Sequence, residues 1–110
     1  MTLLQRMTQQ RREANESLRQ RVRVELASAL AEVLPGTTVT VFGSLVKAGR
    51  FTGDSDVDVA LAEEPASISV FQLSSLLGER LGRSVDVVLL PECRFRARIE
   101  REGEVWTLPG

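Results

Sequence analysis

The segment at residues 43–58 constrains this chain more than any other part of its sequence. The pair Gly43-Ser44 closes an apolar stretch, a loop with glycine and basic residues follows, and Asp56 and Asp58 open a second apolar stretch. Side chains two positions apart in a strand point to the same face. The segment therefore predicts two strands joined by a loop, with two carboxylates on one face of the second strand.

The carboxylates and the Gly-Ser pair together favour a site for a metal ion and a triphosphate. Neighbouring carboxylates repel, and each raises the pKa of the other unless a cation lies between them. Mg²⁺ suits such ligands, because proteins usually bind it through a few carboxylates and the phosphates of a substrate. Gly43 lets the backbone approach a phosphate closely, and Ser44 offers a hydroxyl and an N–H group. Lys47 could neutralise phosphate charge, although a solvated loop position explains it equally well.

A third carboxylate, Asp86, interrupts an apolar run at residues 84–90. A charge inside a buried strand is costly unless it is paired or binds a metal, although Asp86 could also lie at an exposed strand edge. Each motif alone has an ordinary explanation, because Gly-Ser is common in turns, Asp-Ser-Asp is common in loops, and Ser55 can cap the turn before a strand. The Gly-Ser pair and the Asp-Ser-Asp segment together, in the order strand, loop, strand, indicate a functional site more specifically than either motif alone.

Taken together, Gly43-Ser44, the segment Ser55-Asp56-Val57-Asp58 and the later Asp86 resemble the nucleotidyltransferase signature of the DNA polymerase β superfamily. The short chain resembles its minimal nucleotidyltransferase branch, although the loop after Ser44 is one residue longer than the commonest spacing. The resemblance implies a Gly-Ser pair that binds nucleotide phosphates and three acids that hold two Mg²⁺ ions. The expected site comprises nucleotide-binding Gly43, Ser44, Lys47 and Ser55, with catalytic and metal-binding Asp56, Asp58 and Asp86.

The resemblance also implies a partner, because minimal nucleotidyltransferases are commonly antitoxins of HEPN-domain ribonuclease toxins. Such an antitoxin binds its toxin in a hetero-oligomer and moves AMP from ATP to a toxin hydroxyl. One alternative is a non-catalytic antitoxin that neutralises its toxin by binding alone. Another is a small-molecule nucleotidyltransferase, but those carry a further substrate domain, for which 110 residues leave no room. The acceptor hydroxyl is therefore expected on another macromolecule.

Composition narrows the remaining classes. At 110 residues the chain has room for one core, and its net charge of −1 gives no overall attraction for nucleic acid. The absence of histidine excludes histidine-based triads and histidine zinc sites. The single Cys93 excludes an intrachain disulfide, and no run of about 18 apolar residues is present. We therefore expect a cytoplasmic protein that neither crosses a membrane nor binds nucleic acid.

Hydrophobic periodicity predicts an α/β domain with a small mixed sheet of three to four strands flanked by helices. Residues 15–110 are expected to form the minimal nucleotidyltransferase domain, and residues 1–14 an extension that is either a helix docking a partner or a frayed tail. The predicted elements are an amphipathic helix at 18–33, strands at 37–42, 57–61 and 85–90, a helical turn at 45–50, a helix capped by Ser67 and ended by Gly82, and a last helix at 92–101 begun by Pro91.

Overall fold

The computed structural model describes residues 1–110, which form one four-stranded mixed sheet and three helices. The sheet order is β3-β2-β1-β4; β2 and β3 are parallel, and β1 is antiparallel to both β2 and β4. This arrangement confirms the predicted fold class. The elements are α1 (Leu3–Val33), β1 (Thr38–Phe42), β2 (Val57–Leu61), α2 (Val70–Leu81), β3 (Val85–Leu89), α3 (Arg96–Glu102) and β4 (Glu104–Thr107), with 3-10 turns at Gly43–Val46 and Leu90–Glu92.

The two faces of the sheet are covered differently. Alternation along β2 turns Val57, Val59 and Leu61 toward the main core, which α1 and α2 close with Leu26, Leu30, Leu73 and Leu77. Ala60, one position away, belongs to a second, smaller cluster with Leu90 and with Ile99 of α3. Because α3 is short, the second face of the sheet is only partly covered, and this is the face to which Asp58 points.

Helix α1 is much longer than the amphipathic pattern predicts, since it runs without a break through residues 3–33. Its buried residues all lie in its second half (Val22, Leu26, Ala29 and Leu30). The first turn is closed by a capping box, in which the Thr2 hydroxyl accepts a hydrogen bond from the N–H of Gln5 and the Gln5 side chain bonds back to Thr2. Residues 3–14 are therefore helical, while the docking of a partner by this segment stays a prediction. We call this exposed segment the arm.

Several local predictions are wrong. Helix α2 is capped by Ser69 rather than Ser67, because the Ser69 hydroxyl accepts the N–H of Gln72 in a complete capping box. Phe71 of this helix is 84% exposed, although an amphipathic helix would bury an aromatic side chain on its apolar face. The turn after β1 covers residues 43–46 rather than 45–50, and the last helix starts at Arg96 because Pro91 lies in a separate 3-10 turn.

Strand β4 was not predicted as a strand. Its four residues pair with β1 at the sheet edge, with Val39 opposite Trp106 and Thr40 opposite Val105. Val105 is exposed, while Trp106 and Leu108 pack on the main core. No helix is both long enough and apolar enough to cross a membrane.

Candidate active site

The parallel pairing of β2 and β3 brings the predicted acids to one place. Asp58 and Asp86 are direct register partners on these neighbouring strands. Asp56 lies immediately before β2 and, by strand alternation, on the same side as Asp58. Asp86 is exposed, because β3 is an edge strand and not the buried strand that its apolar neighbours suggest. The structure therefore puts a half-buried carboxylate beside an exposed one, with a third at the strand entrance.

Gly43 faces this acid pair from the end of β1. Its φ of +80° lies in the left-handed region, which favours glycine. A Cβ atom at this position would overlap the Oδ2 atom of Asp58. Glycine is thus required at position 43 both by the backbone turn and by the carboxylate that lies against it.

Asp58 carries the only clearly raised carboxylate pKa in the chain. Burial, followed by the charges of Asp86 and then Asp56, raises the pKa of Asp58 to about 6. No salt bridge involves any of these three aspartates, although seven salt bridges form elsewhere. Negative charge at this position is therefore uncompensated by protein cations, as expected for a cluster that receives its positive charge from outside.

The donor set fits Mg²⁺ in its chemistry, since all three groups are carboxylates on one side of the sheet. The three carboxylates do not form a ready-made ion site: no three acidic or cysteine side chains lie close enough to hold an ion. Mutual repulsion explains this spacing, since carboxylates without a cation between them separate. The strands hold Asp58 and Asp86 in register.

An uncompensated Asp58 predicts a gain in stability when its charge is removed. The pKa of Asp58 is higher in the folded protein than in the unfolded chain, so its ionisation destabilises the fold progressively as the pH rises from about 4 to about 6. We expect Asp58→Asn to raise the unfolding free energy of the metal-free protein by about 1 kcal/mol above pH 6, because water screens this half-exposed group, and by little at pH 4. Urea unfolding in EDTA between pH 4 and 8 measures the difference. A less stable Asn variant at pH 7 would show that the carboxylate makes stabilising contacts.

The acid pair opens into a cleft of about 1040 Å³ on the partly covered face. Gly43, Lys47, Asp58 and Asp86 line it. The Lys47 ammonium lies 3.4 Å from Glu102 of α3, so it is placed on the cleft wall but paired. Two exposed aromatic residues, Phe71 and Phe95, belong to the same cleft. The cleft thus combines carboxylates, one lysine and apolar surface.

Ser44 and Ser55 do not line this cleft. Ser44 lies in the 3-10 turn that starts at Gly43, and its carbonyl accepts the N–H of Lys47 at 3.1 Å. The Ser55 hydroxyl accepts the N–H of Thr52 at 2.9 Å, which closes the turn before Asp56. This contact is the turn-capping role that the sequence suggested for Ser55; nucleotide contacts by either serine stay predictions.

Sequence reasoning did not single out Arg19 or Arg83, but both arginines support the site. Arg19 of α1 donates to the Leu45 carbonyl at 2.9 Å and so ties the helix to the turn after Gly43. Arg83 donates to the Ser55 carbonyl at 2.8 Å and so reaches the residue before Asp56. Both contacts join residues more than twenty positions apart in the sequence, and no local sequence pattern predicts them.

This fold, with a Gly-Ser turn facing paired acids, is that of a nucleotidyltransferase domain. The family model "Polymerase beta, Nucleotidyltransferase" matches residues 25–106, and the chain belongs to this family. Among curated proteins, none matches the chain.

Two solved structures share the fold. One is a crystal structure of a toxin–antitoxin with AMP-PNP, with a TM-score of 0.59, 24% identity, and coverage of 76% of this chain and 71% of the other. The second is a crystal structure of the toxin–antitoxin MntA-HepT, with a TM-score of 0.56, 21% identity, and coverage of 80% of this chain and 72% of the other. At these identities the likeness concerns the fold.

Proposed function

We propose that this protein is an Mg²⁺-dependent adenylyltransferase that moves AMP from ATP to a hydroxyl of a partner protein, and that it acts as an antitoxin toward a HEPN-domain ribonuclease toxin. The observation that carries the proposal is the placement of Gly43 against Asp58, with Asp58 in register with Asp86, at the mouth of one cleft. The fold likeness to a toxin–antitoxin with AMP-PNP supports both the nucleotide and the partner.

The residues of the chain divide the work by position. The backbone at Gly43 and Ser44 would accept the phosphates, since the missing side chain leaves room for close approach. Lys47 would neutralise charge on the leaving pyrophosphate. Asp56, Asp58 and Asp86 would hold two Mg²⁺ ions. When bound, these ions stabilise charge on the attacking and leaving oxygens of a displacement at phosphorus.

The transfer itself is a displacement at the α-phosphorus of ATP. The acceptor oxygen bonds to this phosphorus, and the bond to the oxygen that bridges to the β-phosphate breaks. Pyrophosphate leaves with the electron pair, and the hydroxyl proton passes to water. The sheet contributes positioning, because β2 and β3 hold two of the acids in fixed register.

Binding without catalysis is the second candidate. It is favoured by the separation of the three carboxylates, which do not form a ready-made ion site, and by the exposed apolar side chains of Leu3, Leu4 and Met7 on the arm. A purely binding antitoxin has no use for the carboxylate pair. Burial and the charges of Asp86 and Asp56 raise the pKa of Asp58, so an ionised Asp58 is costly to keep in the folded protein. We therefore rank catalysis first.

One experiment separates the two candidates. The chain is incubated with a HEPN toxin and Mg²⁺-ATP, and the two proteins are then separated under denaturing conditions. We expect the toxin mass to rise by one or more AMP units and its ribonuclease activity to stay low after the antitoxin is removed, because the added phosphate charge repels RNA. A parallel incubation in EDTA should leave the mass unchanged. An unmodified toxin that regains activity on separation would establish binding alone.

A further inference from the structure

Arg83 connects the two strands that carry the acids. It follows Gly82, the left-handed residue that ends α2, and it precedes Asp86 by three positions on the way into β3. Its Nη1 donates to the Ser55 carbonyl at 2.8 Å and to the Thr52 carbonyl at 3.5 Å. All of its side-chain hydrogen bonds therefore go to the segment that leads into Asp56.

The segment held by Arg83 is a compact turn. Phe51 anchors its start in the main core, and the Thr52 N–H and the Ser55 hydroxyl close it at 2.9 Å. The guanidinium of Arg83 also lies over the Phe51 ring, 4.8 Å from its centroid. No other side chain from outside residues 51–55 hydrogen-bonds to this turn. Arg83 is thus its one polar tie to the rest of the domain.

The Arg83 guanidinium makes this contact even though burying part of it costs free energy. The Nε atom of Arg83 is buried and has no hydrogen-bond partner, and none of the seven salt bridges involves its guanidinium. An apolar side chain could cover Phe51 without leaving a buried N–H unpaired. An apolar side chain could not donate to the two carbonyls. The specific contribution of arginine is therefore to hold the turn in place.

We propose that Arg83 is a positioning residue that fixes Asp56 relative to Asp86 and thereby sets the affinity of the acid cluster for divalent cations. The inference rests on the proposed function in that the three acids bind metal. Arg83 itself touches neither the metal nor the substrate; it acts through the backbone of Thr52 and Ser55.

Position and charge make opposite predictions for the removal of Arg83. Loss of the positive charge of Arg83 would, by itself, strengthen the attraction of the acid cluster for a cation. Loss of the tie would let Asp56 move and weaken binding, because side chains that orient metal ligands contribute about ten- to a hundredfold to metal affinity. The sign of the change therefore distinguishes the two roles.

The test measures Mn²⁺ binding to the nucleotide-free protein, using the paramagnetic resonance of free Mn²⁺. Arg83→Met is compared with Arg80→Met, because Arg80 is a nearby arginine whose guanidinium bonds only to Glu32, at 2.6 Å on the surface. We expect binding to weaken about ten- to a hundredfold in Arg83→Met and to stay unchanged in Arg80→Met. Hydrogen exchange of the Ser55 amide, which donates to Thr52 at 3.1 Å, should accelerate only in Arg83→Met.

Arg83→Lys keeps the interpretation open to disproof if the Met variant fails to fold. A lysine ammonium can still donate to a backbone carbonyl but lacks the planar guanidinium that lies over Phe51, so we expect intermediate Mn²⁺ affinity and exchange. Unchanged or tighter Mn²⁺ binding together with unchanged Ser55 exchange, in either variant, would overturn the proposal. If the wild-type protein binds no Mn²⁺, the metal-dependent function and the metal part of this inference both fail, whereas Ser55 exchange still decides whether Arg83 holds the turn.

Discussion

Asp86→Ala should lower AMP transfer by about a hundred- to a thousandfold, the effect of removing one preorganised charge-stabilising group from an active site. The fold should survive, because Asp86 is exposed on an edge strand and β3 pairs with β2 through its backbone. ATP and partner binding should persist, since the Gly43 turn and Asp58 remain. Single-turnover transfer from labelled ATP to the toxin measures the loss, and circular dichroism checks the fold.

Asp54→Ala is the matched control for this variant. Asp54 is an exposed aspartate two positions before Asp56, and it does not line the cleft. Its removal lowers the negative charge of the same region by the same amount but should leave transfer near the wild-type rate. An Asp86→Ala protein that modifies its partner as fast as Asp54→Ala would exclude Asp86 from the active site and leave two acids, too few for the proposed two-ion site.

Gly43→Ala should lower AMP transfer by a different route. The methyl group would occupy the space of the Asp58 carboxylate, which must move from its present position to relieve the overlap. The positive φ adds about 1–2 kcal/mol of backbone strain, which the domain should tolerate in part. We expect a folded but less stable protein with transfer reduced at least about a hundredfold, since small displacements of reacting groups cost this much.

Gly49→Ala separates the effect of backbone strain from the effect of displacing the Asp58 carboxylate. Gly49 has the same φ of +80°, but an added Cβ meets no atom within 4 Å. It should lose a similar amount of stability in urea unfolding and keep most of its transfer activity. If both alanine variants lose activity equally, the contact between position 43 and Asp58 is not what matters.

The fold was largely predictable because its elements follow local patterns. Short apolar runs define β2 and β3, and period-2 geometry places Asp56 and Asp58 on one face without any knowledge of the sheet. The position of Asp86 beside Asp58 depends on the pairing of the two strands. The missed strand β4 is only four residues long and is held by β1, a pairing that its own sequence does not encode. Ser69 replaced Ser67 as the cap because Gln72 completes its capping box, a pattern that Ser67 lacks.

The candidate site was predictable in its residues but not in its environment. The acids and Gly43 follow from the motif, whereas the burial of Asp58 and the exposure of Asp86 depend on which strand lies at the edge, and strand order is a property of the whole sheet. The supporting contact from Arg83 spans 28 residues and joins a helix end to a loop. Such contacts arise from tertiary packing and leave no periodic trace in the sequence.

Because α1 is continuous, the exposed end of the arm lies far from the part of the helix that packs on the core. The helix contains neither glycine nor proline, so the arm extends as one stiff rod to Leu3, roughly 20 Å beyond Leu18, the first residue that packs on the core. Sites at such distances that share no contacts respond to substitution independently. A change at Leu4 and a change at Asp86 should therefore have additive free-energy effects, so that the exposed surface of the arm and the acid cluster can be altered one at a time.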